Sequence, residues 1–261
     1  MNIKQIRSAT IIITYAGKKF LVDPFFADKG AYPPIPYTFN EKFFPLVDLP
    51  MPIDEIIKNV DAVIVTHLHH DHFDDAAKNV LPKDIKIFAQ NESEAENIKS
   101  AGFKNVEALQ DDGTVFGDIK LTKTNGEHAK GDILKKYYQL LNACSEVCGV
   151  VFSHLNEKNL YIAGDTCWCD EVQEAIDTHK PDIIVVAASD GRFKDGDSMI
   201  MNKEDVFEVY KSAPQAKIIA NHFETVNACM LSREELKQFV KEKGINSNVL
   251  IPNDGEEYTF V

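Results

Sequence analysis

The sequence has no apolar run long enough to span a bilayer. Its longest, such as Ile183-Ile184-Val185-Val186-Ala187-Ala188, fall far short of the roughly 20 residues a membrane helix needs. Met1-Asn2-Ile3-Lys4 leads into no signal-peptide apolar segment, so the expectation is a cytoplasmic protein with no membrane partner. The five cysteines, Cys144, Cys148, Cys167, Cys169 and Cys229, are odd in number and form no paired C-x-x-C knuckles. That argues against a disulfide framework and points to reduced thiols. No Lys/Arg block offsets a formal charge of −13. Such a surface repels a nucleic-acid backbone, which disfavours a nuclease and leaves a small molecule as the expected partner, with homo-oligomerisation left open. There is no internal repeat and no low-complexity segment. With 44% hydrophobic and 26% charged residues, the 261 residues read as an ordinary globular chain, expected to form a single domain over 1–261.

Histidine is concentrated instead. Four of the eight histidines lie in Thr66-His67-Leu68-His69-His70-Asp71-His72-Phe73-Asp74, directly after the apolar run Val60-Asp61-Ala62-Val63-Ile64-Val65. Neutral imidazole and carboxylate are the donors that suit zinc, iron and manganese, and a turn leaving a rigid strand aims several of them at one spot. His67 and His69, two apart, project to one side of an extended segment. A turn after His69 lets Asp71 and His72 face a second point nearby, which is a two-metal layout. The alternative is a solvated polar turn or a metal-scavenging tract.

The surrounding chain alternates strands and helices. Ile11–Tyr15 and Phe20–Asp23 read as a hairpin about a Gly17 turn, ended by Pro24. Residues 25–52 combine prolines with Phe25, Phe26, Tyr32, Tyr37, Phe39, Phe43 and Phe44, too proline-rich for a regular element and too aromatic for a solvated linker. They read either as a lid over the pocket or as a cover for the sandwich edge. A short helix over 54–59 leads to a buried strand at 60–66. Helix 73–81 ends at Pro82; strand 85–89, helix 92–102, and strands 105–109 and 119–122 follow. Lys130–Asn142 is a charged, aromatic excursion with some helix. Strands 149–153 and 159–163 make a second hairpin, then come helix 170–179 and strand 183–188. A helix capped by Asn202 with Asp205, strand 217–221, a helix capped by Ser232 with Glu235, and runs 249–251 and 258–261 completing a sheet edge finish the chain.

Four potential ligand sources thus fall at strand ends: the 67–72 cluster, His128, Asp165 inside Gly164-Asp165-Thr166, and His222. H-x-H-x-D-H after a buried strand, a lone His, an Asp in Gly-Asp-Thr and a last His after a strand resemble the metallo-β-lactamase superfamily of hydrolases, over nearly the whole chain from Asp23-Pro24 to His222. Within it, the order of motifs and Ser198-Met199-Ile200-Met201-Asn202 look most like the branch containing L-ascorbate-6-phosphate lactonase. The resemblance implies an α/β fold, a four-layer αβ/βα sandwich, with a dinuclear site. It implies that His67, His69 and His128 hold one ion, Asp71, His72 and His222 the second, and that Asp165 bridges them. Two divalent ions, zinc ahead of manganese or iron, would share a hydroxide and polarise the scissile bond, with Asp71 orienting the nucleophile and shuttling its proton, so that no Ser/His/Asp triad is needed.

The expected reaction is metal-dependent hydrolysis of a lactone, ester or amide of a small metabolite. Phosphodiester hydrolysis is the alternative reaction, and a non-catalytic metal sensor the alternative outside enzymology. The remaining polar residues have quieter readings. His70 is expected at the surface or behind the ligands, and His154 and His179 are expected to be solvated. Asp23 and Asp190 are candidates to fix an imidazole tautomer, while Asp74 and Asp75 start a helix. Cys167 and Cys169 lie close enough to Asp165 to be redox-active or near the metals, against the plainer reading of partly buried thiols.

Overall fold

In the computed structural model, which describes residues 1–128, 131–141 and 143–261, two seven-stranded sheets face each other. The first holds β1 (Asn2–Arg7), β2 (Thr10–Tyr15), β3 (Lys18–Val22), β4 (Ala62–Val65), β5 (Lys86–Ala89) and β6 (Asn105–Ala108). The second runs in chain order through β7 (Thr114–Phe116), β8 (Ile119–Asn125), β9 (Cys148–Ser153), β10 (Leu160–Ile162), β11 (Ile183–Ala187), β12 (Lys217–Asn221) and β13 (Val249–Leu250). The last strand, β14 (Glu257–Thr259), crosses back and pairs with β1. The runs 249–251 and 258–261 therefore finish two different sheets, not one edge: pairing partners are set by packing at long range, which local pattern does not carry.

Both sheets follow one scheme. β1–β2–β3 and β7–β8–β9–β10 are antiparallel, joined mostly by short connections, while β3–β4–β5–β6 and β10–β11–β12–β13 are parallel. Parallel neighbours need long crossovers. These are supplied by α1 (Ile53–Ile57), α2 (Asp75–Val80) and α3 (Glu92–Ser100) on the first sheet. After α4 (Gly131–Leu140), discussed below, α5 (Asp170–His179), α6 (Lys203–Ser212) and α7 (Arg233–Glu242) do the same on the second. No helix among the described residues is long and apolar enough to cross a membrane.

The parallel strands are apolar on both faces because both faces are covered. Along β11, Ile183 and Val185 enter the core between the sheets, and Ile184 and Val186 enter the core under the helices. Along β4, Ala62 and Ile64 face the opposite sheet, and Val63 and Val65 face α1–α3. The result is the expected four-layer αβ/βα sandwich. Helix starts follow the expected caps, with capping boxes at Asn202/Asp205 and Ser232/Glu235. Asp74 is the N-cap of α2, so that helix begins at Asp75. The 130–142 excursion contains α4; its ends Lys130 and Asn142 lie outside the described residues. Two strands escape the sequence reading: β1, whose inward positions include the polar Gln5 and Arg7, and β7, only three residues long.

Candidate metal centre

The site lies where several strands of both sheets end. β4 delivers its histidines through a tight reversal in which the N–H groups of His72 and Phe73 donate to the His69 carbonyl at 3.0 and 3.1 Å. Asp23, just past β3, clamps this turn. Its carboxylate accepts from Thr66 N and Thr66 Oγ1, both at 2.8 Å, and stands 2.9 Å from His72 Nδ1. Asp74 caps Ala77 N and also accepts from Phe26 N and Ala27 N, tying the start of the aromatic loop to the same turn. Asp165 follows β10 through Gly164, whose φ is +73°. A Cβ there would stand 2.4 Å from the Cys148 carbonyl oxygen, so only glycine admits this close approach. His222 leaves β12 with φ +69°, its N–H donating to Ser8 O. His128 follows β8, held by Glu127 N donating to Thr166 Oγ1 at 2.8 Å.

These residues form two adjoining groups. His67, His69 and His128 each place one ligand atom within 4.8 Å of the others, and so do Asp71, His72, Asp165 and His222. The rings of His67 and His72, one from each group, have centroids 4.0 Å apart. In the second group, His72 Nε2 lies 3.1 Å from Asp165 Oδ2 and 3.3 Å from His222 Nε2, while His222 Nε2 lies 3.2 Å from Asp71 Oδ2 and 3.4 Å from Asp165 Oδ2. Most of the imidazoles are braced from behind. His69 Nε2 donates to Cys144 O at 2.7 Å, which leaves Nδ1 to face the group. His128 Nδ1 donates to Met199 O at 2.9 Å, leaving Nε2. Each hydrogen bond fixes a tautomer.

Electrostatics differ between the groups. Burial, reinforced by His72 and His69, drives His67 well below the usual histidine range. Burial, then His128, brings His69 down to about 4, and burial also lowers His128. Three neutral imidazoles with free lone pairs result. In the second group burial opposes charge on His72 and His222, but Asp165 foremost, with Asp23 and Asp71 beside His72, outweighs it. His72 rises to about 10 and His222 well above its usual value. Burial likewise opposes ionisation of Asp71 and Asp165, but His72 and His222 hold both carboxyls below the usual carboxylate range. A divalent cation suits both settings: a nitrogen-only set on one side, and on the other a mixed set whose two carboxylates it would pair with in place of the imidazolium protons. Two atoms sharpen the fit. His67 Nε2 and Asp165 Oδ1 are buried without a hydrogen-bond partner, an arrangement costing about 1–3 kcal/mol for each such group unless something else occupies it.

Above the groups opens a cavity of about 490 Å³, into which His69, Asp71, His128, Asp165 and His222 project. Its wall comes from the aromatic loop (Tyr32 to Pro36, Phe44), α4 and its sequel (Tyr138, Leu141, Cys144), Phe193, Met199 and Ile200, and Val226, Ala228 and Cys229. The loop divides the roles foreseen for it. Phe25 and Phe26 are core, Tyr32 and Phe44 are wall, and Tyr37, Phe39 and Phe43 are about half exposed. The buried Arg7 guanidinium pins it by donating to the carbonyls of Val47, Phe25 and Ala27, and Asn227 pins it through Ile35, Thr38 and Asn40.

Other sequence expectations divide similarly. Asp23 braces His72, but Asp190 does not brace an imidazole: it accepts from Arg192 Nε and Ser198 Oγ. His70 is exposed and stacked on Tyr32, with centroids 5.3 Å apart. His154 and His179, both half-buried, belong to neither group. Cys167 and Cys169 also stand outside both groups and are buried. The Cys167 thiol donates to Glu127 O at 3.0 Å, and Cys169 is the N-cap of α5, with Sγ 3.6 Å from Thr166 Oγ1. They pack the loops that carry Asp165 and His128. Sequence reasoning missed Arg7, Asn227, Tyr138 and the Cys144 carbonyl, all placed by tertiary contact. Only α4's pattern of Leu134, Tyr137, Tyr138 and Leu141 hinted at an inward face.

A two-sheet sandwich with clustered imidazoles and carboxylates at its strand ends defines a metal-dependent hydrolase. The chain belongs to the beta-lactamase superfamily, whose domain model matches residues 18–223. It is 58% identical to the UPF0173 protein YddR of Bacillus subtilis over the full length of both chains. Among solved structures it is similar to an isothiocyanate hydrolase from Delia radicum gut bacteria, with a TM-score of 0.94 and 40% identity covering 100% of this chain and 99% of that one. It is also similar to a protein of Veillonella parvula described as "a possible metal-dependent hydrolase", with a TM-score of 0.93 and 37% identity over the same shares.

Proposed function

We propose that the chain works as one hydrolase domain holding two divalent ions, zinc foremost, and that it cleaves small neutral electrophiles, isothiocyanates first among them. In this reading His67, His69 and His128 hold one ion, Asp71, His72 and His222 the other, and Asp165 stands between them. Such ions, when bound, lower the pKa of water from about 16 toward about 7 and polarise the bond under attack. Asp71, lining the cavity, orients the attacking water by accepting a hydrogen bond from it and passes its proton on. Asp23 keeps His72 oriented, and the Cys144 and Met199 carbonyls do the same for His69 and His128. Residues 25–52 act as an aromatic lip that shields the bound substrate from water.

The observation that carries the substrate class is the wall of the cavity: it is largely apolar, and no Lys or Arg lines it among the described residues. Away from the proposed ions, a phosphodiester would find no Lys or Arg among the described wall residues to pair with its charge, in a protein already at −13. A neutral molecule with an electrophilic carbon fits, and the similar structure is named for that chemistry. Hydrolysis balances as R–N=C=S + H2O → R–NH2 + O=C=S. Neutral lactones and esters form the second reading, favoured by the same wall.

The test uses benzyl isothiocyanate, a neutral lactone and bis-p-nitrophenyl phosphate, with and without chelator, alongside elemental analysis. Chelator-sensitive amine release with about two ions per chain is expected. Preference for the phosphodiester, a rate indifferent to chelator, metal binding without turnover of any substrate, or at most one ion after metal-replete preparation would each overturn it.

A further inference from the structure

α4 (Gly131–Leu140) is inserted between β8 and β9 and has no counterpart in the matching part of the first sheet, where β1 and β2 are joined by a tight turn. It brings one phenol to the metal centre. The ring of Tyr138 lies nearly parallel to that of His69, with centroids 5.9 Å apart and 22° between planes, and meets His128 edge-on at 5.3 Å. The residue lines the cavity yet is only 5% exposed. Its hydroxyl donates to the Met199 thioether sulfur at 3.6 Å, a weak acceptor.

A phenol O–H buried against so poor a partner loses most of what its solvation supplied, whereas phenylalanine would pack the same space without that cost. Other polar groups of the wall have different settings. Tyr32 stacks between Phe44 and His70 on the loop, and the Cys229 sulfur takes the Ser189 hydroxyl at 2.9 Å. We infer that the Tyr138 hydroxyl donates a hydrogen bond to the sulfur or oxygen on the substrate's electrophilic carbon as that atom gains negative charge, making Tyr138 a catalytic residue; this rests on the neutral-electrophile reading above. Addition of water to the central carbon of R–N=C=S shifts an electron pair onto the heteroatoms. A donor held beside the imidazoles meets that charge by turning its one O–H from the weak Met199 sulfur to the substrate, and the proton stays on the phenol.

The experiment compares metal-loaded wild type with Tyr138→Phe and Tyr138→Leu on benzyl isothiocyanate and a neutral thiolactone. Removing one such donor costs about 100- to 1,000-fold in kcat. For Tyr138→Phe we expect a loss of that order with KM within about threefold, metal content and melting temperature unchanged, and weaker calorimetric binding of N-benzylthiourea, an unreactive neutral mimic. Unchanged kcat and unchanged thiourea binding in Tyr138→Phe would overturn the inference; loss of metal confined to Tyr138→Leu would then show that the ring only supports the imidazoles. Should Tyr138→Phe fail to fold, 3-fluorotyrosine at 138 keeps the shape while making the phenol more acidic, and an unaltered kcat there would count equally against the inference. A wild type inert to the isothiocyanate but active on the thiolactone sinks the isothiocyanate reading alone, since the Tyr138 comparison then runs on the thiolactone.

Discussion

Asp165 concentrates the demands of the site on one side chain. Its Oδ2 faces His72 and His222, its Oδ1 is buried without a protein partner, and its charge acts on the imidazoles of both groups. Asp165→Asn keeps the shape but removes the charge that would balance the two proposed cations, so metal retention should fall and turnover should disappear while circular dichroism stays native. Asp190 offers the contrast. Bonded to Arg192 and Ser198 and to no imidazole, it should tolerate Asn with metal content close to wild type and a rate loss no greater than about 10-fold. An Asp165→Asn protein that keeps its ions and full activity would remove Asp165 from the site.

At the scale of an element, α3 carries an unusual carboxyl. Glu94, in its first turn, is nearly buried; Gln90 Nε2 donates to Oε1 at 2.6 Å, and Oε2 has no partner. Burial, acting against the Gln90 hydrogen bond, raises the acid to about 7. The native state therefore keeps a proton that the unfolded chain releases near the ordinary glutamate value, and stability falls as pH climbs through the window between the two. Glu94→Gln abolishes that slope. The variant should gain on wild type between about pH 5 and about pH 8, as read by urea melts at both; a constant gap would mean that Glu94 titrates normally.

For the whole molecule, the 25–52 segment shows how a lip can be ordered without regular structure. Tyr32 and Phe44 exchange backbone hydrogen bonds at 2.8 and 3.0 Å, closing the intervening residues into a loop held by Asn227. Replacing 33–42 with a short Gly/Ser bridge preserves that pair and the Arg7 anchorage below it. Expected is a rise in KM of about 10-fold or more with metal content kept and a melting temperature within a few degrees, because the excised prolines wall the cavity while Tyr37 and Phe39 are half exposed. A much lower melting point with normal kinetics would make the segment a structural cover instead.

Read alone, the sequence determined most of the elements, because their signals are local. Doubly covered strands such as Ile183–Ala187 are continuously apolar, and Asn202 and Ser232 satisfy helix N-termini within four residues. It also determined the candidate ligand types, since imidazoles two apart before a turn must project together. The tertiary structure decided what depends on distant partners. It sent β14 to the opposite sheet from β13, removed Asp190 from the imidazoles, and set the Cys144 carbonyl behind His69. It also brought Tyr138 to the centre and Arg7 beneath the loop. The bonds that hold Asp190 are local, but the other contacts join residues far apart in the chain, and their geometry exists only once burial has excluded water and enclosed polar groups have found partners within reach.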